Sequence, residues 1–194
     1  METLVIFLTF LVLMALGIPI GTSLGVAAVI TVYHFDLGIA MLGVNFSSGI
    51  ASFPLLAIPF FVLAGVILER AGLAATIAHF FELLVGKAVG GLGMVAVMTC
   101  MFWGALSGSG PATTAAVGLI LLTPMIKHGY DKHFAGATIA NASDLSIIIP
   151  PSIAFIIYGN ITSVSVSALF VAGIIPGLLT GAGTILVAYL VSRK

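Results

Sequence analysis

Charge is scarce in this sequence. Of 194 residues, 6 are Lys or Arg and 6 are Asp or Glu, so the net charge is zero and no basic surface is available for nucleic acid. There is one cysteine, Cys100, inside an apolar run. A single thiol excludes an internal disulfide and a multi-cysteine zinc site, which leaves Cys100 as core. Enzyme motifs are also missing. There is no HExxH and no paired-carboxylate arrangement, and the glycine-rich stretch 86–93 lacks the Lys-Ser/Thr of a phosphate loop. A nucleophilic Ser107 or Ser109 would need a base beside it, and no His lies in a neighbouring apolar segment. An intramembrane protease is the enzyme alternative, with Ser109-Gly110 its one hint. No Lys or Arg precedes the first apolar stretch, so a signal peptide is not expected.

Hydrophobicity fills the space that charge leaves. The chain is 61% hydrophobic with a mean hydropathy of +1.32, which is outside the range of soluble domains. It reads as an all-α, multi-pass membrane protein, with residues 1–194 forming a single membrane domain in the lipid bilayer.

Prolines and charges divide the apolar sequence. Residues 4–33 are apolar throughout and broken at Leu16-Gly17-Ile18-Pro19. Thirty residues are too few for two spans of about 20, so one long helix kinked at Pro19 is expected, ended by His34. A weaker stretch, 38–50, leads into a run closed by Glu69-Arg70. Residues 73–85 carry His79 and Glu82 among Ile77, Phe80, Phe81, Leu83 and Leu84, the pattern of an amphipathic helix lying along the interface.

Residues 94–106 and 115–126 are each too short to span comfortably. Between them lies Ser107-Gly108-Ser109-Gly110-Pro111-Ala112-Thr113-Thr114, small and hydroxyl-rich. Lys87 precedes this region and Lys127 and Lys132 follow it. The positive-inside rule places all three on one side, which a re-entrant helical hairpin with residues 107–114 at its tip allows. Residues 134–149 form the next run. Pro150-Pro151 interrupts it, and Ile153 to Tyr158 resumes it as a discontinuous helix. Residues 159–163 would be an outer turn. Residues 168–191 return inward past a break at Gly173, Pro176 and Gly177, and Arg193-Lys194 rejoins the positive side.

Irregular backbone at membrane depth must be buried or line a polar cavity. The hairpin tip and the proline break can meet, each freeing carbonyls at a helix end and amides at a helix start. Ser107, Ser109, Thr113, Thr114 and Ser152 add hydroxyls. Neutral oxygens suit a hard monovalent cation such as Na⁺ rather than a transition metal. The expected ion-binding residues are Ser107, Gly108, Ser109, Ile149, Pro150 and Ser152. The expected substrate contacts are Ser109, Thr113 and Thr114, and no organic cofactor is called for. The alternative is that these small residues serve only close helix packing, in a structural or channel-like module. Asp144 is the one acid in mid-run. It either relays protons or contacts a cation, or sits near a surface satisfied by Asn141 or Ser143. Trp103 reads as packing.

The chain resembles the large membrane subunit of the tripartite ATP-independent periplasmic (TRAP) transporters along almost its whole length. The resemblance rests on Leu16-Gly17-Ile18-Pro19-Ile20, on Ser52-Phe53-Pro54-Leu55-Leu56-Ala57-Ile58-Pro59-Phe60-Phe61, and on Gly90-Gly91-Leu92 and Ser107-Gly108-Ser109. It continues through Gly129-Tyr130, Ile149-Pro150-Pro151-Ser152-Ile153 and Leu169-Phe170-Val171-Ala172-Gly173-Ile174-Ile175-Pro176-Gly177. It implies a Na⁺-coupled secondary transporter of organic acids, of C4-dicarboxylate or sugar-acid type, in the bacterial inner membrane. It further implies a small membrane subunit and a periplasmic substrate-binding protein as partners, and an elevator built from two inverted repeats. It pairs Ser107, Gly108 and Ser109 with Ile149, Pro150, Pro151 and Ser152 around one sodium site. Two departures stand out. The chain corresponds to the first repeat, without the second half of the permease, and Asn141-Ala142-Ser143-Asp144 replaces small neutral residues before the double proline.

Overall fold

A computed structural model describes residues 1–192, apart from the side chain of Met41. The expected basic pair Arg193-Lys194 lies outside the described residues. The chain divides into two compact units, residues 1–52 and 53–194. Every regular element among the described residues is an α-helix.

The first unit holds α1 (Glu2–Ala15), α2 (Ile20–His34) and α3 (Ala40–Ile50). The expected single kinked helix over 4–33 is instead two helices packed side by side. Gly17 takes φ +82 and Pro19 is extended at ψ 142, and together they turn the chain. Ser23, Ala27 and Thr31, spaced by four on α2, are buried, and small residues at that spacing let two helices approach closely. The hydroxyls of Ser23 and Thr31 donate to the carbonyls of Ile18 and Ala27, so the seam leaves neither unpaired. At about 1.5 Å per residue, each helix is shorter than a bilayer core of about 30 Å.

The second unit is built around α6 (Gly91–Ser107). It packs against α4 (Phe53–Arg70), α5 (Leu73–Val85), α7 (Gly110–Lys127), α8 (Lys132–Ser143), α9 (Leu145–Ile148) and α11 (Val166–Ser192). Its Val95, Ala96, Val97, Thr99, Cys100, Trp103 and Gly104 are buried, which agrees with reading Cys100 and Trp103 as core. Gly104 marks the closest approach. A methyl there would overlap the Cβ of Ser146 and lie 2.7 Å from its Cα.

α5 occupies the residues expected of it. Ala74, Ile77 and Ala78 are buried on the α6 and α7 side, while Phe80, Leu83 and Leu84 are exposed. His79 and Glu82 lie 3.6 Å apart in solvent.

Three expectations are corrected by helix length. The hairpin loop was read as 107–114, but only Gly108 and Ser109 are non-helical. Pro111 sits in the first turn of α7, where its missing N–H costs nothing. α7 is thereby 18 residues long and, by length and composition, long and apolar enough to cross a membrane. The expected break at Gly173, Pro176 and Gly177 is absent, and α11 runs unbroken for 27 residues. Gly173 and Gly177 instead let Phe155 and Ile149 lie against the helix. The turn expected over 159–163 begins only at Ser163, because residues 159–162 complete α10 (Ile153–Thr162). The expected discontinuity holds: Lys132–Ile148 and Ile153–Thr162 are bent by 41° across residues 149–152. Together with α4, α7 and α11 this bent pair makes up to four candidate membrane spans.

Two predictions follow from the packing and capping. Gly104→Ala should destabilise the second unit by about 1–3 kcal/mol, read as a lower midpoint in thermal unfolding in detergent. Asp131 caps α8 by accepting from the amides of Phe134, at 3.0 Å, and His133, at 2.9 Å, and these bonds hold its carboxyl below the usual carboxylate range. A depressed folded value means the cap stabilises above the ordinary carboxylate pKa of about 4 and is lost as pH falls through the folded value. Asp131→Asn should therefore flatten the acid limb of the stability–pH curve, measured by the same unfolding midpoint.

Candidate functional site

The two interruptions of the second unit meet through the backbone. α6 ends where Gly108 takes φ +62 and donates its N–H to the Gly104 carbonyl at 2.7 Å. Ser109 then turns extended (φ −136, ψ 119), and its Oγ accepts from the Ala112 amide to cap α7. The second break repeats this start. Ser152 is extended at nearly the same angles (φ −131, ψ 129), and its Oγ accepts from the Phe155 amide to cap α10. Between the breaks, the Ile153 N–H donates to the Gly108 carbonyl at 3.3 Å. A Cβ on Gly108 would lie 3.2 Å from the Pro151 carbonyl oxygen and 3.3 Å from the Ile153 nitrogen. Positive φ and this close approach both favour glycine there.

The hydroxyls around this joint are engaged. Ser107 Oγ and Thr113 Oγ1 are 3.0 Å apart, and both residues are buried. Ser152 is 1% exposed and donates to the Ile147 carbonyl at 2.6 Å. The carbonyls of Ile149, Pro150 and Pro151 accept no hydrogen bond among the described residues. Two helix starts, of α7 and α10, and two helix ends, of α6 and α9, therefore converge. Partial positive charge at the amides and partial negative charge at the carbonyls allow an anion and a cation to be held side by side. Among the described residues, no three His, Cys, Asp or Glu side chains gather as a metal-binding group.

Of the residues singled out from sequence, Ser107, Gly108, Ser109 and Thr113 lie on the hairpin side of this joint and Ser152 on the other, while Ile149 and Pro150 lie in the second break, with Ile149 packed against Gly177. Thr114 is exposed, and its Oγ1 donates to the Gly110 carbonyl at 3.1 Å within its own helix. Asp144 lies at the α8–α9 junction. It is exposed and takes no hydrogen bond from Asn141 or Ser143, and Ser143 Oγ donates instead to Ile139 at 2.7 Å. His79, His128 and His133 are exposed.

Sequence reading missed Ile153, whose contribution is a main-chain amide and carries no side-chain signal. It also missed Ser146, which fits against Gly104, and Ser143, whose Oγ lies 3.6 Å from Cys100 Sγ. The recurrence of small residues at 104, 108, 143 and 146 was the available clue.

Ser107→Ala should leave the Thr113 hydroxyl buried without its partner, at a cost of about 1–3 kcal/mol. Adding Thr113→Val should recover part of that loss, since both partners are then apolar. Thermal unfolding of the two variants checks the pair.

The profile of the DctM component of tripartite ATP-independent periplasmic transporters matches residues 7–194. The chain is 40% identical over its full length to the C4-dicarboxylate TRAP transporter large permease protein DctM of Vibrio cholerae, covering 43% of that protein. It is 39% identical to the isethionate TRAP transporter permease protein DctMQ of Oleidesulfovibrio alaskensis, over 98% of the chain and 30% of the relative. It is 41% identical to the 2,3-diketo-L-gulonate TRAP transporter large permease protein YiaN of Escherichia coli, over 87% of the chain and 40% of the relative. The chain thus spans less than half the length of these relatives. They are permeases and not enzymes, which removes the protease alternative. The chain is a multi-pass membrane protein that belongs to the DctM family, the large permease component of TRAP transporters.

Proposed function

We propose that this chain forms the first half of the large permease of a Na⁺-coupled transporter that takes up organic acids across a bacterial inner membrane. The observation that supports the reading is the hydrogen bond from the Ile153 amide to the Gly108 carbonyl, which joins the α6–α7 hairpin to the break whose carbonyls at 149–151 accept no hydrogen bond among the described residues. Na⁺ would be held by oxygens of Ser107, Gly108, Ser109, Ile149, Pro150 and Ser152. A substrate carboxylate would face the starts of α7 and α10 near Ser109, Thr113 and Thr114, where the backbone dipoles favour an anion. The substrates named for the relatives, C4-dicarboxylate, isethionate and 2,3-diketo-L-gulonate, are all organic anions, which supports a C4-dicarboxylate or sugar-acid class.

The hairpin would enter the membrane and return to one side, carrying Lys87, Lys127 and Lys132 at that face. A small membrane subunit would brace the permease, and a periplasmic binding protein would deliver the substrate. The second repeat would supply the other half of the cavity, and an elevator movement would carry the loaded site across.

The test uses the full permease assembly containing this half. Na⁺ replacing choline should raise its thermal midpoint, and Ser109→Ala should reduce that increment while costing about 0.5–2 kcal/mol of stability in choline, the range for a lost helix cap. An unchanged Na⁺ increment in Ser109→Ala would sink the tip site. Residues 1–194 alone in liposomes should take up no organic acid, and Na⁺-dependent uptake by them would refute the half-site reading.

A further inference from the structure

The second break is held from two sides. On one side the Ile153 N–H donates to the Gly108 carbonyl of the hairpin. On the other side the break lies against α11, at the buried Gly173 and Gly177. A Cβ on Gly173 would stand 2.5 Å from Phe155 Cε2 and 2.7 Å from the Ile148 carbonyl oxygen. One on Gly177 would stand 2.7 Å from Ile149 Cγ1. Ile149 and Phe155 thus fill the space that two side chains of α11 would need. The Phe155 ring also meets Phe170 of α11, with ring centroids 6.4 Å apart.

These two anchors bracket the open carbonyls of the break. Ile149 carries the first of them, and Phe155 follows two residues after Ile153. The Phe155 amide donates to Ser152 Oγ, which in turn donates to the Ile147 carbonyl. A shift of the Phe155 backbone is therefore passed to the cap of α10 and to α9, because a close-packed interior transmits displacement. α11 itself carries no Asp, Glu, Lys, Arg or His.

The two seats differ in stiffness. Ile149 also borders an apolar groove of about 280 Å³, lined by Phe81 of α5, Met101 and Phe102 of α6 and Ile185 of α11, which leaves its side chain room to swing. The neighbours of Gly173 include a main-chain oxygen, which moves only if the break moves.

We propose that Ile149 and Phe155 are positioning residues. Seated on α11, their side chains set where the carbonyls of residues 149–151 lie relative to the hairpin, so α11 tunes the site while giving it no ligand. The consequence for Na⁺ rests on the transport reading.

Gly173→Ala, Gly177→Ala and Gly183→Ala are compared in the full permease assembly. All three substitutions raise helix propensity alike, and a Cβ at Gly183 would meet nothing within 4 Å. Gly173→Ala should raise the Na⁺ concentration for half-maximal thermal stabilisation about tenfold, the scale for groups that orient ligands without touching the ion. It should also speed hydrogen exchange at the Ile153 amide, followed by mass spectrometry. Gly177→Ala should shift both readouts less, and the size swap Gly177→Ala with Ile149→Ala should bring both back toward wild type. Gly183→Ala should change neither. Wild-type values of both readouts in Gly173→Ala, or in Gly177→Ala where the first variant does not fold, would overturn the proposal, and so would equal shifts in Gly183→Ala. A wild-type assembly with no Na⁺ increment would end the transport reading, and exchange at Ile153 would then decide the positioning by itself.

Discussion

The hydrogen bond from the Ile153 amide to the Gly108 carbonyl is the contact on which the second unit depends. Breaking two helices inside an apolar protein exposes main-chain groups that lipid cannot satisfy. This bond, with the serine caps on α7 and α10, satisfies some of them by bringing one break against the other. Among those that remain is a short row of carbonyls at residues 149–151. The proposed site would therefore draw on backbone groups left over after the two breaks have closed on each other, with hydroxyls tied into the same framework.

The rest of the unit holds that joint in place. α6 runs through the centre with its small and aliphatic residues buried, and its two ends have different roles. The Gly91 end is wedged among main-chain neighbours, while the Ser107 end forms the joint. Close approach at Gly104 fixes the distance to the α8–α9 segment, and hence the position of the proline break about one turn beyond Ser146. The small residues thus serve close helix packing at the same places where the proposed site would lie.

Much of this was legible in the sequence. The bounds of α5 follow from the alternation of its apolar stripe with His79 and Glu82. The discontinuity at 149–152 follows from Pro150-Pro151, because proline acts locally and by a known mechanism. The hairpin at 107–110 was legible in kind but not in extent. A hydroxyl-rich, glycine-containing stretch reads as loop, yet Pro111 and the threonines sit in the first turns of a helix once Ser109 caps it. The side-by-side packing of α1 and α2 was hidden. Its signal is three small residues four apart, which hydropathy averages away. The continuity of α11 past Pro176 was hidden for a related reason: glycines that read as breakers are there to admit Phe155 and Ile149.

The fit of Ser146 against Gly104 has a consequence for how this sequence can vary. The two positions share a single allotment of volume, so neither is free to enlarge by itself. A larger residue at 146 would have no glycine left to yield at 104, and a side chain at 104 is admissible only if position 146 shrinks. Among relatives these positions should change as a pair or stay fixed together, forty-two residues apart in the chain and yet one unit of inheritance.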